Sequence, residues 1–453
     1  MRKVKKDGGR YENNAQGEKN MTKKVGVAIL GLGVVGGGTY ETLVEHHDFY
    51  LKTQRVDITV EAVLDKALER LKSLGVPEEK IAKNIGEIVE NPNVDIVIET
   101  IGGIGVAKDF VSAALRAGKT VVTSNKEMIC KYSHELEKLA KSHRCGLYFE
   151  ASCVGGVPII RTLLDGVQAN HVQSMMGIVN GTTNYILTKM TYENGDYAEV
   201  LKEAQKLGYA EANPTADVEG FDSTYKLSIL SSLAFHTKVP YTKIFREGIS
   251  KIDAKDIAHG KSLGYTLKLL AIGKNTPQGV EVRVHPTFIP NAHPLASVND
   301  SFNAVYLQGD AVGDVMLYGR GAGALPTASA VVSDVIYAAT HSEVKYSTFK
   351  NKATADASVK FVSNFESAYY VRLAVDDQAG TLAKVSGIFG KYGISIMAVS
   401  QITQKKEPDD QGNLRVPLVI ITHKTTERRM MQAIAKINAS GIGRAQATIR
   451  VEN

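Results

Sequence analysis

The sequence predicts an α/β protein built from more than one unit, with a doubly wound parallel sheet leading. Two observations predict this class. Short apolar strands alternate with helical stretches through the first 150 residues, and such alternation puts a parallel sheet between layers of helix. The chain has 453 residues, 43% hydrophobic and 23% charged. That is an ordinary globular composition in a length beyond one core, and about 150 residues per domain gives two to four domains.

From Lys24, KVGVAILGLGVVGGGTYETLVEH runs a buried strand into a glycine-rich turn and a helix. VDITVEAVLDK reads as the next strand, and NVDIVIETIGG and KTVVTSNKEMI as two more, with helices such as AKDFVSAALRAG between them. Gly31-Leu-Gly33-Val-Val-Gly36 fits G-x-G-x-x-G between a strand and a helix. Glycines there let the backbone approach a pyrophosphate seated on a helix N-terminus, so residues 23–150 are expected to form a Rossmann-type nucleotide domain. Asp65 ends the second strand, where an acid accepts the ribose hydroxyls, yet Lys66 follows and would suit a 2′-phosphate; NAD and NADP both stay open. Past residue 150 the alternation weakens, which marks an α+β substrate domain over 151–318. GRGAGALPTASAVVSDVIYAAT then gives a turn and an apolar helix returning to the first domain (319–345), followed by a polar linker (346–368). Residues 369–453 read strand, helix, strand, strand, helix, strand, a ferredoxin-like βαββαβ module.

The net charge of +6 is concentrated rather than spread. Residues 1–24 carry eight Lys or Arg against three acids, so the rest lacks the basic stripe that a nucleic-acid partner needs. Residues 1–22 are polar, contain Gly8-Gly9 and lack a signal peptide's apolar core. A disordered extension is expected there, with Met21 opening the folded part. No apolar run approaches the ~20 residues that cross a bilayer, so no membrane is expected. Cys130, Cys145 and Cys153 are too few and wrongly spaced for a disulfide framework or a zinc site, which suits a reducing cytosol. His236, His259, His285 and His293 are scattered without ligand spacing.

ANPTADVEGFDSTYK (212–226) gathers Asp217, Glu219 and Asp222 ahead of Lys226. If a helix starts after Gly220, Asp222 and Lys226 share a face, which by itself means a surface pair of about 0.2–0.5 kcal/mol. The longer run AQKLGYAEANPTADVEGFDSTYK (204–226) says more. With TSNKE, EASCVGGVPII, NGTTNYIL and GRGAGALPTASAV in order elsewhere, it resembles the homoserine dehydrogenases over about residues 24–340. The last module is similar to the ACT modules on many bacterial members.

The resemblance implies NAD- or NADP-dependent oxidation of L-homoserine, or reduction of L-aspartate 4-semialdehyde, on the route to threonine and methionine. It implies Lys226 as the proton donor, Glu211 and Asp222 as substrate-binding carboxylates, and Lys126 as a second lysine near nicotinamide and substrate. Gly33, Val34, Thr123, Gly208 and Gly323 match nucleotide-contacting positions, although Gly208 would also end a helix. Glu150, with the carbonyls of Cys153, Gly155 and Val157, matches a structural sodium site; Cys153 stands where valine is expected. A homodimer or homotetramer is implied, its C-terminal modules paired edge to edge and binding threonine as an effector. Gly380 opens the module's first helix, where free N–H groups would receive the effector carboxylate and Asp376 or Asp377 its ammonium; Ala379 stands where proline is usual, and the alternative is a module that serves assembly alone.

Chemistry supports the lysine independently. Hydride leaving an alcohol carbon is coupled to loss of the hydroxyl proton, and a lysine near 10.4 must be lowered, by burial or a cation such as Lys126, to accept it. Asp217 and Glu219 are expected to brace the loop. Asn180, Thr182 and Thr183 line the pocket or satisfy one another. The alternatives are a sensor that binds NAD(P) and an amino acid without turnover, or another amino-acid dehydrogenase; a sensor has no need of Lys226, Lys126 and Asp222 together.

Overall fold

The structure is a computed structural model describing residues 22–341, 359–401, 407–408 and 414–452. Residues 1–21 of the expected extension (1–22), the last four residues of the expected return helix (342–345) and residues 346–358 of the expected linker (346–368) lie outside the described residues.

Five strands open the chain: β1 (Lys23–Leu30), β2 (Val56–Leu64), β3 (Ile96–Glu99), β4 (Thr120–Thr123) and β5 (Leu147–Tyr148). They form one sheet in the order β2-β1-β3-β4-β5, parallel throughout. The order reverses between β1 and β3, and the crevice at the carboxyl ends there is where such sheets hold ligands. β4 is shorter than KTVVTSNKEMI suggested, because Asn125 intervenes. Its side chain accepts the Met128 N–H at 3.0 Å and caps the helix Lys126–Ser142, so Lys126 begins a helix instead of ending a strand. The helix Ala324–Thr340 returns to this unit: Val331, Val332 and Val335 share a core with Val27, Ile29 and Ile58. Gly38 permits the approach, since a Cβ there would stand 3.0 Å from the Ala324 carbonyl.

The middle of the chain supplies β6 (Val172–Ile178), β7 (Phe245–Arg246), β8 (Tyr265–Thr276), β9 (Gly279–Pro290), β10 (Phe302–Gly309) and β11 (Gly313–Arg320). They lie in the order β11-β10-β6-β8-β9, antiparallel except that β7 runs parallel to β9. The helix Phe221–Ala234 packs on this sheet and is buried on nearly every side. Its sequence has no polar stripe to offer solvent, which is the mark of a core helix.

The last unit contains β12 (Glu366–Val375), β13 (Ile396–Gln401), the two-residue β14 (Glu407–Pro408), β15 (Leu414–Thr422), the two-residue β16 (Thr425–Thr426) and β17 (Gly443–Val451). Its order β17-β12-β15-β13 carries the helices Thr381–Lys391 and Glu427–Ala439, whose Val385, Phe389, Met430 and Ile437 pack on Tyr369, Val371 and Leu373. The α/β class, the parallel leading sheet and the closing βαββαβ module are as the sequence predicts. The expectation that a second copy covers the module's edge meets a different arrangement at β17. That edge pairs in parallel with β9 of the same chain, Arg450 beside Thr287 and Val451 beside Phe288, so the two sheets run on as one. The edge at β13 has no strand beyond it among the described residues, and Met397 and Val399 there are exposed.

Buried ion pairs line the seam. Arg283, fully buried, donates to Glu281 at 2.9 Å and to Glu452 at 2.6 Å, while Arg372 donates to Asp256 at 2.6 Å. Charges this deep are tolerated because each is paired and hydrogen-bonded. No helix among the described residues is long and apolar enough to cross a membrane.

Candidate active site

Three chain segments meet at one carboxylate. Gly220 adopts a left-handed φ of +77° and opens the helix that carries Asp222 and Lys226. Asp222 is 4% exposed. Its Oδ2 lies 2.8 Å from Lys226 Nζ and its Oδ1 lies 2.6 Å from Lys126 Nζ, which arrives from the nucleotide unit. The third segment follows β6: the Val179 carbonyl accepts from Lys226 Nζ at 2.7 Å, and Asn180 Nδ2 donates to both Asp222 (2.9 Å) and Asp217 (2.7 Å). Asn180 Oδ1 in turn accepts the Thr183 N–H at 2.9 Å and caps the helix Gly181–Glu193. Asp217 therefore braces the loop through Asn180.

Burial alone would raise the Asp222 carboxyl, but Lys226 and Lys126 hold it well below the usual carboxylate range. The same carboxylate raises Lys126 above the ordinary lysine value. The two lysines thus meet on opposite oxygens of Asp222, whereas the sequence reading had Lys126 acting on Lys226 as a bare cation. Asp217 is raised by burial and by Asp222 beside it.

Glu211 stands apart. It is exposed, its carbonyl accepts from Gln205 Nε2 at 3.0 Å, and among the described residues no bond joins its carboxylate to the cluster.

The nucleotide loop has room above it. Gly31 is left-handed (φ +87°), and a Cβ on Gly36 would stand 1.9 Å from the Gly31 carbonyl, so both positions require glycine. Gly33 caps the helix Val34–Glu45 with nothing within 4 Å of where its Cβ would be, and Val34 is exposed. Asp65 accepts the Leu32 N–H and, at 2.7 Å, the Ala67 N–H, so its carboxylate is tied to the loop backbone. Arg70 Nε donates to the Leu32 carbonyl at 3.3 Å. Thr123 is buried and gives its hydroxyl to Glu99 at 2.5 Å. Glu99, unforeseen from the sequence, also accepts the N–H groups of Ile101 (2.8 Å) and Gly102 (3.0 Å), and burial raises its carboxyl. An acid closing the apolar run VDIVIE just before Gly102-Gly103 was the signal available. Gly208 ends the helix Tyr197–Lys206 with φ +78°, and Gly323 caps Ala324–Thr340 with φ +116°.

At the expected cation site, Glu150 is buried and caps the turn Ile159–Arg161, its two oxygens accepting the N–H groups of Ile160 (2.9 Å) and Arg161 (2.7 Å). Burial and the nearby Asp334 push its carboxyl up to about 7. Among the described residues no hydrogen bond reaches the carbonyls of Cys153 and Gly155, and that of Val157 accepts the Ile159 N–H at 2.8 Å. Both Glu150 oxygens are thus engaged by backbone N–H groups, and two of the three carbonyls expected at the site carry no hydrogen bond among the described residues. No group of three His, Cys, Asp or Glu side chains among the described residues is placed to hold a metal.

Residues 31–150 match the NAD-binding domain of homoserine dehydrogenase, residues 158–336 the homoserine dehydrogenase family itself and residues 369–439 the ACT domain. The homoserine dehydrogenase of Bacillus subtilis is 39% identical over 434 residues, covering 95% of this chain and 99% of that one. That of Neisseria gonorrhoeae is 40% identical over 423 residues, covering 92% and 96%. Among solved structures, a homoserine dehydrogenase from Thiobacillus denitrificans superposes with a TM-score of 0.88 at 36% identity, covering 96% of this chain and 99% of that one. A hyperthermophilic archaeal homoserine dehydrogenase in complex with NADPH gives a TM-score of 0.60 at 28% identity, covering 72% and 100%. With relatives this similar over nearly its whole length, the chain belongs to the homoserine dehydrogenases, NAD(P)-dependent oxidoreductases, as a member carrying a C-terminal ACT domain.

Proposed function

We propose that the Lys126–Asp222–Lys226 cluster is the substrate and proton-transfer site of this dehydrogenase. The observation that carries the reading is two lysines from different units seated on the two oxygens of one buried carboxylate. An ammonium has three N–H donors. Lys226 spends two on Asp222 and Val179, which leaves one for a substrate oxygen. In the reductive direction the carbonyl oxygen of L-aspartate 4-semialdehyde gains negative charge as its carbon takes a hydride, and Lys226 gives that oxygen its proton; in oxidation the same nitrogen takes the hydroxyl proton of L-homoserine. Lys126 steadies Asp222 from the nucleotide side. Glu211, whose carboxylate has no partner among the described residues, takes the substrate ammonium together with Asp222.

Bound NADP or NAD supplies or accepts the hydride. Gly31, Gly33, Val34 and Gly36 receive its pyrophosphate, and Thr123, Gly208 and Gly323 complete the rim. Arg70, fixed on the loop beside Asp65, favours NADP, as does the archaeal relative's complex with NADPH. The test is spectroscopic: adding L-homoserine with either dinucleotide must generate the absorbance of reduced cofactor. Glu211→Gln is expected to raise KM for L-homoserine about tenfold with kcat retained, as loss of a binding contact does. An unchanged KM would remove Glu211 from the site.

Sodium at Glu150, Cys153, Gly155 and Val157 would brace the loop, with no part in the chemistry. The ACT module would take L-threonine near Gly380, and its open β13 edge would pair with another copy in a homodimer or homotetramer. A cytosolic location suits the three free thiols. One melting series on the full chain checks both ligands, since whatever binds the native state raises Tm. Tm is expected to rise with sodium chloride relative to choline chloride, and with L-threonine relative to L-methionine. Equal Tm within either pair would sink the corresponding site.

A further inference from the structure

We propose that the short segment Phe245–Gly248 couples the ACT sheet to the substrate helix, with Arg246 as a positioning residue for the reaction. The proposal rests on the reading that Asp222 and Lys226 form the substrate site. Their helix starts at Gly220, which has no side chain to anchor it. Arg246 supplies the anchor: its Nη1 donates to the Glu219 carbonyl, and its guanidinium lies 3.5 Å from the centroid of the Phe221 ring. One side chain therefore grips both neighbours of Gly220. Among the described residues no acid pairs with Arg246, so it closes no ion pair there; it holds a carbonyl and a ring face, as a planar guanidinium can and an ammonium cannot. The segment also runs alongside the same turn, with the Ile249 N–H donating to the Val218 carbonyl at 2.8 Å.

The adjacent residue faces the other way. Glu247 accepts a hydrogen bond from Nη1 of Arg450 in β17, a residue only 3% exposed. Arg450 also donates to Glu427, the first residue of an ACT helix, at 2.5 and 3.2 Å, and lies 4.8 Å over the Phe245 ring. Phe245 meets Phe365, just ahead of β12, at 5.4 Å between centroids. The ACT sheet thus grips Phe245 and Glu247, and Arg246 between them grips the substrate helix. A displacement of Arg450 would reach Asp222 through two adjacent side chains.

A double-mutant cycle on the full chain tests this, with Arg246→Ala, Glu247→Gln and both together. Arg246→Ala is expected to raise KM for L-homoserine about tenfold, since small misplacements near a site are costly, with the dinucleotide Kd unchanged. Glu247→Gln keeps the shape of a part-exposed side chain and should raise KM about threefold alone, yet add nothing once Arg246 is gone, because the two act in series. An unchanged KM in Glu247→Gln, or the same factor in both backgrounds, would overturn the coupling. Retained activity in Lys226→Ala would instead overturn the underlying assignment of the site, and the two failures are read from different variants.

Discussion

Lys226→Ala is expected to lower kcat about 10²–10⁴-fold, the usual contribution of a positioned proton donor, while dinucleotide affinity stays at the wild-type value. The separation follows from geometry. Lys226 is buried, bonded to Asp222 and to the Val179 carbonyl, and among the described residues no bond links it to the glycine loop. Removing its ammonium leaves Asp222 still paired with Lys126, so the fold around the helix should hold. Turnover with L-homoserine, set beside Kd measured by quenching of protein fluorescence by the dinucleotide, decides it. Retention of most of kcat would exclude Lys226 from proton transfer.

Asp222→Asn is expected to hurt both chemistry and stability. The carboxylate, 4% exposed, lies between two ammoniums, and an amide takes from both lysines their directly paired anion. Breaking one partner of a buried pair costs about 3–5 kcal/mol; the lower end applies, because the Lys126 side chain is 42% exposed and water screens it. KM for L-homoserine should rise and kcat fall, as both lysines lose their orientation. The sign of the pH dependence is set by the depressed carboxyl. Its stabilisation is fully present above the unfolded value of about 3.9 and is lost as pH falls towards the folded one. The Tm gap between wild type and variant should therefore stay constant from about pH 5 to about pH 8. Equal Tm values across that range would show the pair to be a solvated one of little worth.

Much of this was legible in the sequence because it is local. G-x-G-x-x-G between a strand and a helix places Gly31 and Gly36 without help from distant residues, and the four-residue spacing of Asp222 and Lys226 fixes their shared face once Gly220 starts the helix. What was not legible is how distant pieces meet. Lys126 lies 96 positions before Asp222 in the chain, and no periodicity says that they touch; the family resemblance put both near the substrate, and the structure adds that one carboxylate joins them. The Val179 carbonyl is a backbone atom and leaves no compositional trace. Asn180 was open between lining the pocket and satisfying its neighbours, and its bonds to Asp217, Asp222 and Thr183 favour the second. Arg283 and Arg450 sit inside strands where alternation reads them as surface residues, whereas Glu452 reaches Arg283, and Glu247 and Glu427 reach Arg450, from elsewhere in the fold.

The two-residue seam between β9 and β17 also bears on the order in which the molecule assembles. Thr287 and Arg450 are 163 positions apart, and closing so long a loop carries an entropy cost that grows with the logarithm of its length. Hairpins such as β8–β9 have no such search to make. Both sheets are therefore expected to take shape before the seam indexes them, with their joining late in folding, when Arg283 meets Glu452 and Arg450 meets Glu247. A chain caught before that step would hold its dinucleotide fold and its ACT module complete, with Phe245–Gly248 not yet gripped from either side.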